Sequence, residues 1–310
     1  MIMDKQRKSL QDGGSFLSSM AYRVPLFGAR LKLARERVAQ RISERDQVAD
    51  NLVRAVSQRQ GFIHSIPKSG VTWCLLLIAN YWARSSGRTE PVDFDVLNSD
   101  YILHSIDKNA RNYKFHKWLL HRKTFIDNAH SIETLIHSHK PVPDLSFKKS
   151  LLLFRNPYDF VLSYHKYLVT ARGDSAPLEK RIKVYLDEYA SLIRFQSKLS
   201  QERCSDALIL PYETLKMRTS ETLVSILRHF GVTCISDELV ADAIRASSVR
   251  QVKKFEAEGG QMVARGLEGG FIRSGVPGQW REELTSRQMK MIEHLIPADV
   301  WIYVKQHIVI

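Results

Sequence analysis

The chain has few cysteines, no long hydrophobic run and no block of one charge sign, and each absence removes a class of protein. Its three cysteines, Cys74, Cys204 and Cys234, are far apart and form no CxxC pair, so neither a disulfide framework nor a zinc site is indicated. They read as reduced thiols of a cytoplasmic protein. The longest uncharged run, Ser69 to Ala83, has 15 residues, short of the roughly 20 that a spanning helix needs. No stable membrane insertion is expected. Lys5, Arg7 and Lys8 precede Ser15 to Tyr22, a stretch too short and too polar for the apolar part of a secretory signal, so secretion is not expected either. Low-complexity tracts and repeats at solenoid periods are also missing, and the mixed-sign charge argues for order beyond the N-terminal edge.

With 310 residues and 44% hydrophobic content, the chain can fill a sizeable core. A net charge of +13 calls for an anionic partner: nucleic acid, an acidic membrane surface or a highly phosphorylated small molecule. Composition does not choose among them. From Phe27 to about Gln58, Leu31, Leu33, Ala34, Val38, Ile42, Val48, Leu52 and Val53 recur at roughly helical spacing. Residues 1–60 are therefore expected to form a helical extension packed on the core, and residues 61–310 one domain. The arginine-rich face of that extension reads first as a solvated surface, with a membrane or nucleic acid as the lesser alternative.

Gly61 to Pro67 reads as a short apolar strand, and Thr72 to Arg84 as a helix ending near Gly87. Leu151 to Phe154 is a continuous apolar run suited to a central parallel strand, followed by a helix from Asp159 through Leu168. Ala207 to Leu210 repeats the pattern up to Pro211, and Glu221 to Phe230 reads as a helix closed by Gly231. Such alternation predicts an α/β fold, a central parallel sheet flanked by helices on both faces.

Between the first strand and helix lies Pro67, Lys68, Ser69, Gly70, Val71, Thr72, Trp73. A tight turn opening a helix gathers backbone N–H groups around one point, Lys68 adds a mobile charge, and Ser69 and Thr72 add hydroxyls. It is not a GxxxxGK[ST] loop, because no glycine stands at the required position before the lysine. The same turn also serves as a plain strand-to-helix connection.

This loop, PKSGVTW, resembles the PKSGTTW loop of the sulfotransferases that use 3′-phosphoadenosine 5′-phosphosulfate (PAPS), with Val71 in place of a threonine. Arg155, Asn156, Pro157, Asp159, Ser163 and Tyr164 match that family's RNPxDxxxSY motif, and Arg273, Gly275, Gly278 and Trp280 match most of its RKGxxGxW segment; Ser274 and Gln279 depart from it. The resemblance implies a P-loop NTPase-like sulfotransferase fold and PAPS as donor, with its desulfonated form PAP as product and no metal. It further implies that Lys68, Ser69, Gly70, Val71, Thr72 and Trp73 hold the 5′-phosphosulfate and adenine. Arg155, Ser163, Arg273, Ser274 and Gly275 would then bind the 3′-phosphate, while Tyr212 and Ser247 line the adenine pocket.

Ile136 to Pro141 is similar to the family's KTHLP, which maps His139 onto the catalytic base; His137 falls where the family often has a lysine. Chemistry alone does not choose among the chain's 11 histidines. Arg281 and Thr285 agree with the family's pairing segment but Ser286 and Lys290 do not, so the oligomeric state stays open. The acceptor is expected to be a small molecule bound by variable loops at Asp93 to Asn128 and Thr170 to Arg181. A P-loop nucleotide kinase would need the missing glycine-rich loop. A nucleic-acid binder would need a recognisable module, and none is present. A catalytically degenerate relative that only binds nucleotide stays open through Val71, His137, Ser274 and Gln279.

Overall fold

The computed structural model describes residues 60–93, 102–104, 134–141, 149–203, 206–257 and 275–308. All belong to the compact unit Ser57–Ile310. The helical extension expected over residues 1–60 lies outside the described residues, apart from Gln60, which opens the first strand.

Five parallel strands form one sheet: β1 (Gln60–Ser65), β2 (Ile102–His104), β3 (Thr134–Ser138), β4 (Lys149–Phe154) and β5 (Ala207–Pro211). Their order is β2-β3-β1-β4-β5, so β1 is central, with Ile63 paired to His137 on one side and to Leu151 on the other. Residues 150–154 are all buried, which is why β4 reads as an unbroken apolar run. Alternate side chains serve opposite faces: Leu151 and Leu153 join one hydrophobic cluster and Phe154 the other.

Those clusters are the two helix layers. The first is built with α1 (Val71–Ser85), α5 (Thr219–His229) and α6 (Asp237–Ala246), and the second with α2 (Pro157–Arg172), α3 (Leu178–Arg203), α9 (Ser286–Leu295) and α10 (Ala298–His307). The short α4 (Tyr212–Met217) follows β5 directly, α7 (Val249–Ala257) follows α6, and α8 (Trp280–Glu283) precedes α9. Helices on both faces of a parallel sheet are the predicted architecture. Among the described residues no helix is long and apolar enough to cross a membrane.

The loop expected from Thr170 to Arg181 is mostly helix. α2 continues to Arg172 and α3 starts at Leu178, leaving five residues between them. Gly173 closes α2 in a left-handed conformation (φ 66°). Leu178, Ile182, Tyr185, Leu186, Tyr189 and Ile193 then form a buried stripe at helical spacing. The other predicted acceptor loop, Asp93 to Asn128, lies outside the described residues except for Asp93 and β2.

Candidate active site

The chemistry-bearing residues follow the C-terminal ends of four adjacent parallel strands: His139 after β3, Lys68 after β1, Arg155 after β4 and Tyr212 after β5. Parallel strands deliver all these residues to one edge of the sheet, where α/β folds bind ligands.

The turn after β1 is shaped to leave the start of α1 without a side-chain cap. Lys68 (φ 63°) and Gly70 (φ 78°) both adopt left-handed backbone, sparsely populated for a lysine. The Ser69 hydroxyl donates backward to the Ile66 carbonyl at 2.6 Å, Gly70 is the N-cap, and the first turn of α1 has no acidic residue. An N-terminus with no internal carboxylate and no capping side chain suits an external anion. Val71 is buried and Thr72 half-buried, and the Lys68 ammonium lies 4.8 Å from the centroid of the Tyr167 ring.

Arg155 is a buried cation, 8% exposed, one residue past β4. Its Nη1 donates to the Lys68 carbonyl at 3.4 Å, its Nη2 lies 3.8 Å from Asp159 Oδ1, and its guanidinium lies 4.8 Å over the Tyr212 ring. Nε has no partner among the described residues. The next residues fix this arginine in place. Asn156 caps α2 by accepting from the Tyr158 amide at 2.9 Å, with Pro157 as the first helical residue. The Asn156 amide donates to Glu213 Oε1 at 3.0 Å, and the Tyr189 hydroxyl donates to the Arg155 carbonyl at 2.7 Å. Burial raises the Glu213 carboxyl above its usual range, opposed by its hydrogen bonds and by Arg155.

Asp159 connects this motif to the glycine-bearing segment. Buried to 2% exposure, it accepts from the Gly278 amide at 2.6 Å (Oδ2) and from the Trp280 amide at 3.4 Å (Oδ1). Tyr212 makes a second connection, donating to the Gly275 carbonyl at 2.6 Å while its ring lies against Gly70. Arg273 and Ser274 lie outside the described residues. Ser163 is half-buried on α2, and its hydroxyl makes no hydrogen bond to a described group.

Trp73 is fixed at its edge, its Nε1 donating to the Ser247 carbonyl at 3.0 Å. Ser247 is fully buried and its hydroxyl accepts from Asn80 Nδ2 at 3.0 Å, while Asn80 Oδ1 accepts from the Val92 amide at 2.8 Å. Ser247 therefore anchors the tryptophan from behind.

On the other side of β1, Ser65 stands between two imidazoles. Its Oγ is 2.8 Å from His137 Nε2 and 3.0 Å from His139 Nδ1, and its carbonyl is 2.8 Å from the same Nδ1. The two rings are edge-on at 4.6 Å, with His137 buried and His139 exposed. A carbonyl only accepts, so Nδ1 of His139 is the protonated nitrogen and the lone pair of the neutral ring sits on Nε2. The Ser65 hydroxyl, within reach of that Nδ1–H, also pairs with His137 Nε2. Below them His64 is buried and held neutral, its pKa pulled down to about 3 by burial and by the His139 charge. Gln196 donates to its Nδ1 at 3.0 Å.

Sequence reading missed Ser65, Asn80 and the tie from Asp159 to Gly278, because each acts on a residue distant in the chain. Lys216, whose ammonium lies 4.7 Å from the Trp73 ring centroid, was missed for the same reason.

Comparison with known proteins places this geometry in context. A sulfotransferase domain model matches residues 58–299, more than half of the chain. Cytosolic sulfotransferase 13 of Arabidopsis thaliana is 24% identical over 247 residues, covering 71% of this chain and 70% of the plant protein. Retinol dehydratase, solved with androsterone and inactive cofactor PAP, superposes with a TM-score of 0.57 at 15% identity, covering 82% of this chain and 83% of that one. The mouse sulfotransferase SULT7A1 complexed with PAP gives a TM-score of 0.56 at 17% identity, covering 82% and 90%.

Proposed function

The chain belongs to the sulfotransferase domain family, and from that premise we propose that it transfers the sulfuryl group of PAPS to a hydroxyl or amine of a small-molecule acceptor. The observation that carries the reading is Arg155, a nearly buried guanidinium whose Nη1 is 3.4 Å from the carbonyl of Lys68 and whose Nε has no partner among the described residues. A second fixed cation beside a phosphate loop suits a nucleotide with phosphate on both sides of its ribose. The PAP bound to the retinol dehydratase and to the mouse sulfotransferase supports the same nucleotide here, and the androsterone bound to the former supports a small-molecule acceptor. The cytosolic plant relative supports a cytoplasmic setting.

The residues present fit that nucleotide. Lys68, Ser69, Gly70, Val71 and Thr72 would hold the 5′ side, Arg155 and Ser163 the 3′-phosphate with Arg273, Ser274 and Gly275, and Trp73, Tyr212 and Ser247 the base. When bound, PAPS supplies the activated sulfuryl group. His139, with Nδ1–H directed at the Ser65 carbonyl, offers Nε2 to take the acceptor's proton. The Ser65 carbonyl and hydroxyl oxygens, both beside Nδ1, favour the charged ring once the proton arrives. The Lys68 ammonium would balance charge on the departing phosphate, and positioning and charge stabilisation supply most of the rate in transfers of this type.

Incubation with PAPS and a pooled metabolite library, read by mass spectrometry for a gain of SO₃, tests the reading. His139→Ala is expected to lose transfer by about 100-fold or more while keeping PAP affinity. Near-normal turnover in that variant rejects the base. A protein that neither binds PAP nor sulfates any pool rejects the function.

A further inference from the structure

Lys216 is not among the residues that the motifs assign, yet its side chain ends in the base region. It lies four residues after Tyr212 on α4, so the two side chains share a face of that helix. Its ammonium sits 4.7 Å from the centroid of the Trp73 ring. The indole cannot turn away easily, because its Nε1 is held by the Ser247 carbonyl at 3.0 Å. Beside the ammonium is Gly275: a Cβ there would lie 3.9 Å from Lys216 Nζ, 4.0 Å from Val249 Cγ2 and 3.4 Å from the Tyr212 hydroxyl. Trp73, Lys216, Gly275, Val249 and Tyr212 therefore border one space. Among the described residues the Lys216 ammonium has no hydrogen bond or ion pair, only the indole face.

A half-buried ammonium resting on an aromatic platform is a cation offered to whatever stacks there. We propose that Lys216 is a nucleotide-binding residue that recognises the base, its ammonium lying on the outer face of the purine whose inner face stacks on Trp73. The inference rests on the reading of Trp73 as the base platform. A purine slid between them must lift the ammonium by about one ring thickness, within reach of a flexible four-carbon stem. Val249 offers only an aliphatic edge on that side, so the cation is the polar and electrostatic part of the contact. Because Lys216 exchanges one aromatic contact for another, the net gain is the difference between an indole contact partly open to water and a purine contact enclosed on more sides.

Calorimetric titration of wild-type protein, Lys216→Met and Lys216→Arg with PAP and with ribose 3,5-bisphosphate, which lacks the base, tests this. Methionine keeps the stem length and helix preference without the charge. Lys216→Met is expected to weaken PAP about 3- to 10-fold and the base-free bisphosphate less than about 2-fold, while Lys216→Arg stays near wild type for both. PAP affinity in Lys216→Met within about 2-fold of wild type overturns the proposal. Equal losses for the two ligands also overturn it, assigning the charge to a phosphate instead. Failure of the wild-type protein to bind PAP at all overturns the sulfotransferase reading itself, and this inference with it.

Discussion

Replacing Gly70 with alanine tests the packing that joins the loop between β1 and α1 to α4. Gly70 has φ 78°, and a Cβ built on it would lie 2.4 Å from both Cδ2 and Cε2 of Tyr212. The tyrosine has little room to withdraw. It is 4% exposed, its hydroxyl is bound to the Gly275 carbonyl at 2.6 Å, and Arg155 covers its ring at 4.8 Å. Left-handed backbone costs an alanine about 1–2 kcal/mol, and forcing a methyl group into filled space costs about 1–3 kcal/mol more. Gly70→Ala should therefore lower stability by about 2–5 kcal/mol in urea unfolding with an unchanged denaturant slope. Tyr212→Ala removes the ring and leaves only the backbone strain. The double variant should consequently be more stable than the sum of the two single losses by about 1–3 kcal/mol. Strict additivity, or a Gly70→Ala protein within about 0.5 kcal/mol of wild type, would refute the close approach.

Two further perturbations probe the same neighbourhood. Asp159→Ala leaves the buried Arg155 charge without its carboxylate and the Gly278 amide without its acceptor, so a loss of about 3–5 kcal/mol is expected in thermal or urea unfolding. Asp159→Asn, which keeps an acceptor oxygen, should lose less, and an alanine variant within about 1 kcal/mol of wild type contradicts the role. The second probe is pH. His64 titrates near 3 in the fold against 6.5 for a free histidine. Above pH 6.5 it is neutral in both states and contributes no pH dependence. As pH falls from 6.5 toward 3, the unfolded chain binds a proton that the folded state refuses, so stability drops. The slope from this group is at most about 1.4 kcal/mol per pH unit. His64→Gln should flatten the stability profile between about pH 6 and 4 by up to one proton, and parallel profiles for the two proteins would show that His64 does not titrate in this way.

Local chemistry made several elements legible. β1, β4 and β5 are short apolar runs ended by polar or proline residues, and α1 and α5 show apolar spacing that stops at Gly87 and Gly231. The tight turn that opens α1 was equally legible, because Lys68, Ser69 and Gly70 are adjacent in the chain. α3 was misread in part as a loop although its buried stripe from Leu178 to Ile193 has helical period. Its charged residues outnumber the apolar ones around Glu179 to Lys183, and the stripe declares itself only over three or four turns. The agreement of Thr285 with the family's pairing segment has a local explanation as well. Its side chain accepts from the Gln288 amide at 3.2 Å, and Gln288 Oε1 accepts from the Thr285 amide at 2.9 Å, a capping box at the start of α9.

The sequence by itself determined the α/β class, the loop that opens α1 and the family, since these rest on residues close together in the chain whose spacing survives without coordinates. Only the tertiary structure decided which distant groups meet. The parallel order β2-β3-β1-β4-β5 brings four strand ends to one edge, and so sets Arg155 against Lys68, Ser65 between His137 and His139, and Tyr212 against Gly70. It also assigns Asp159 to Gly278 across 119 positions and Trp73 to Ser247 across 174. Hydrogen bonds and close packing act over a few ångströms, whereas local sequence pattern records only the nearest turns of chain. Contacts of this kind are fixed by how the sheet orders its strands, and that order is a property of the whole fold.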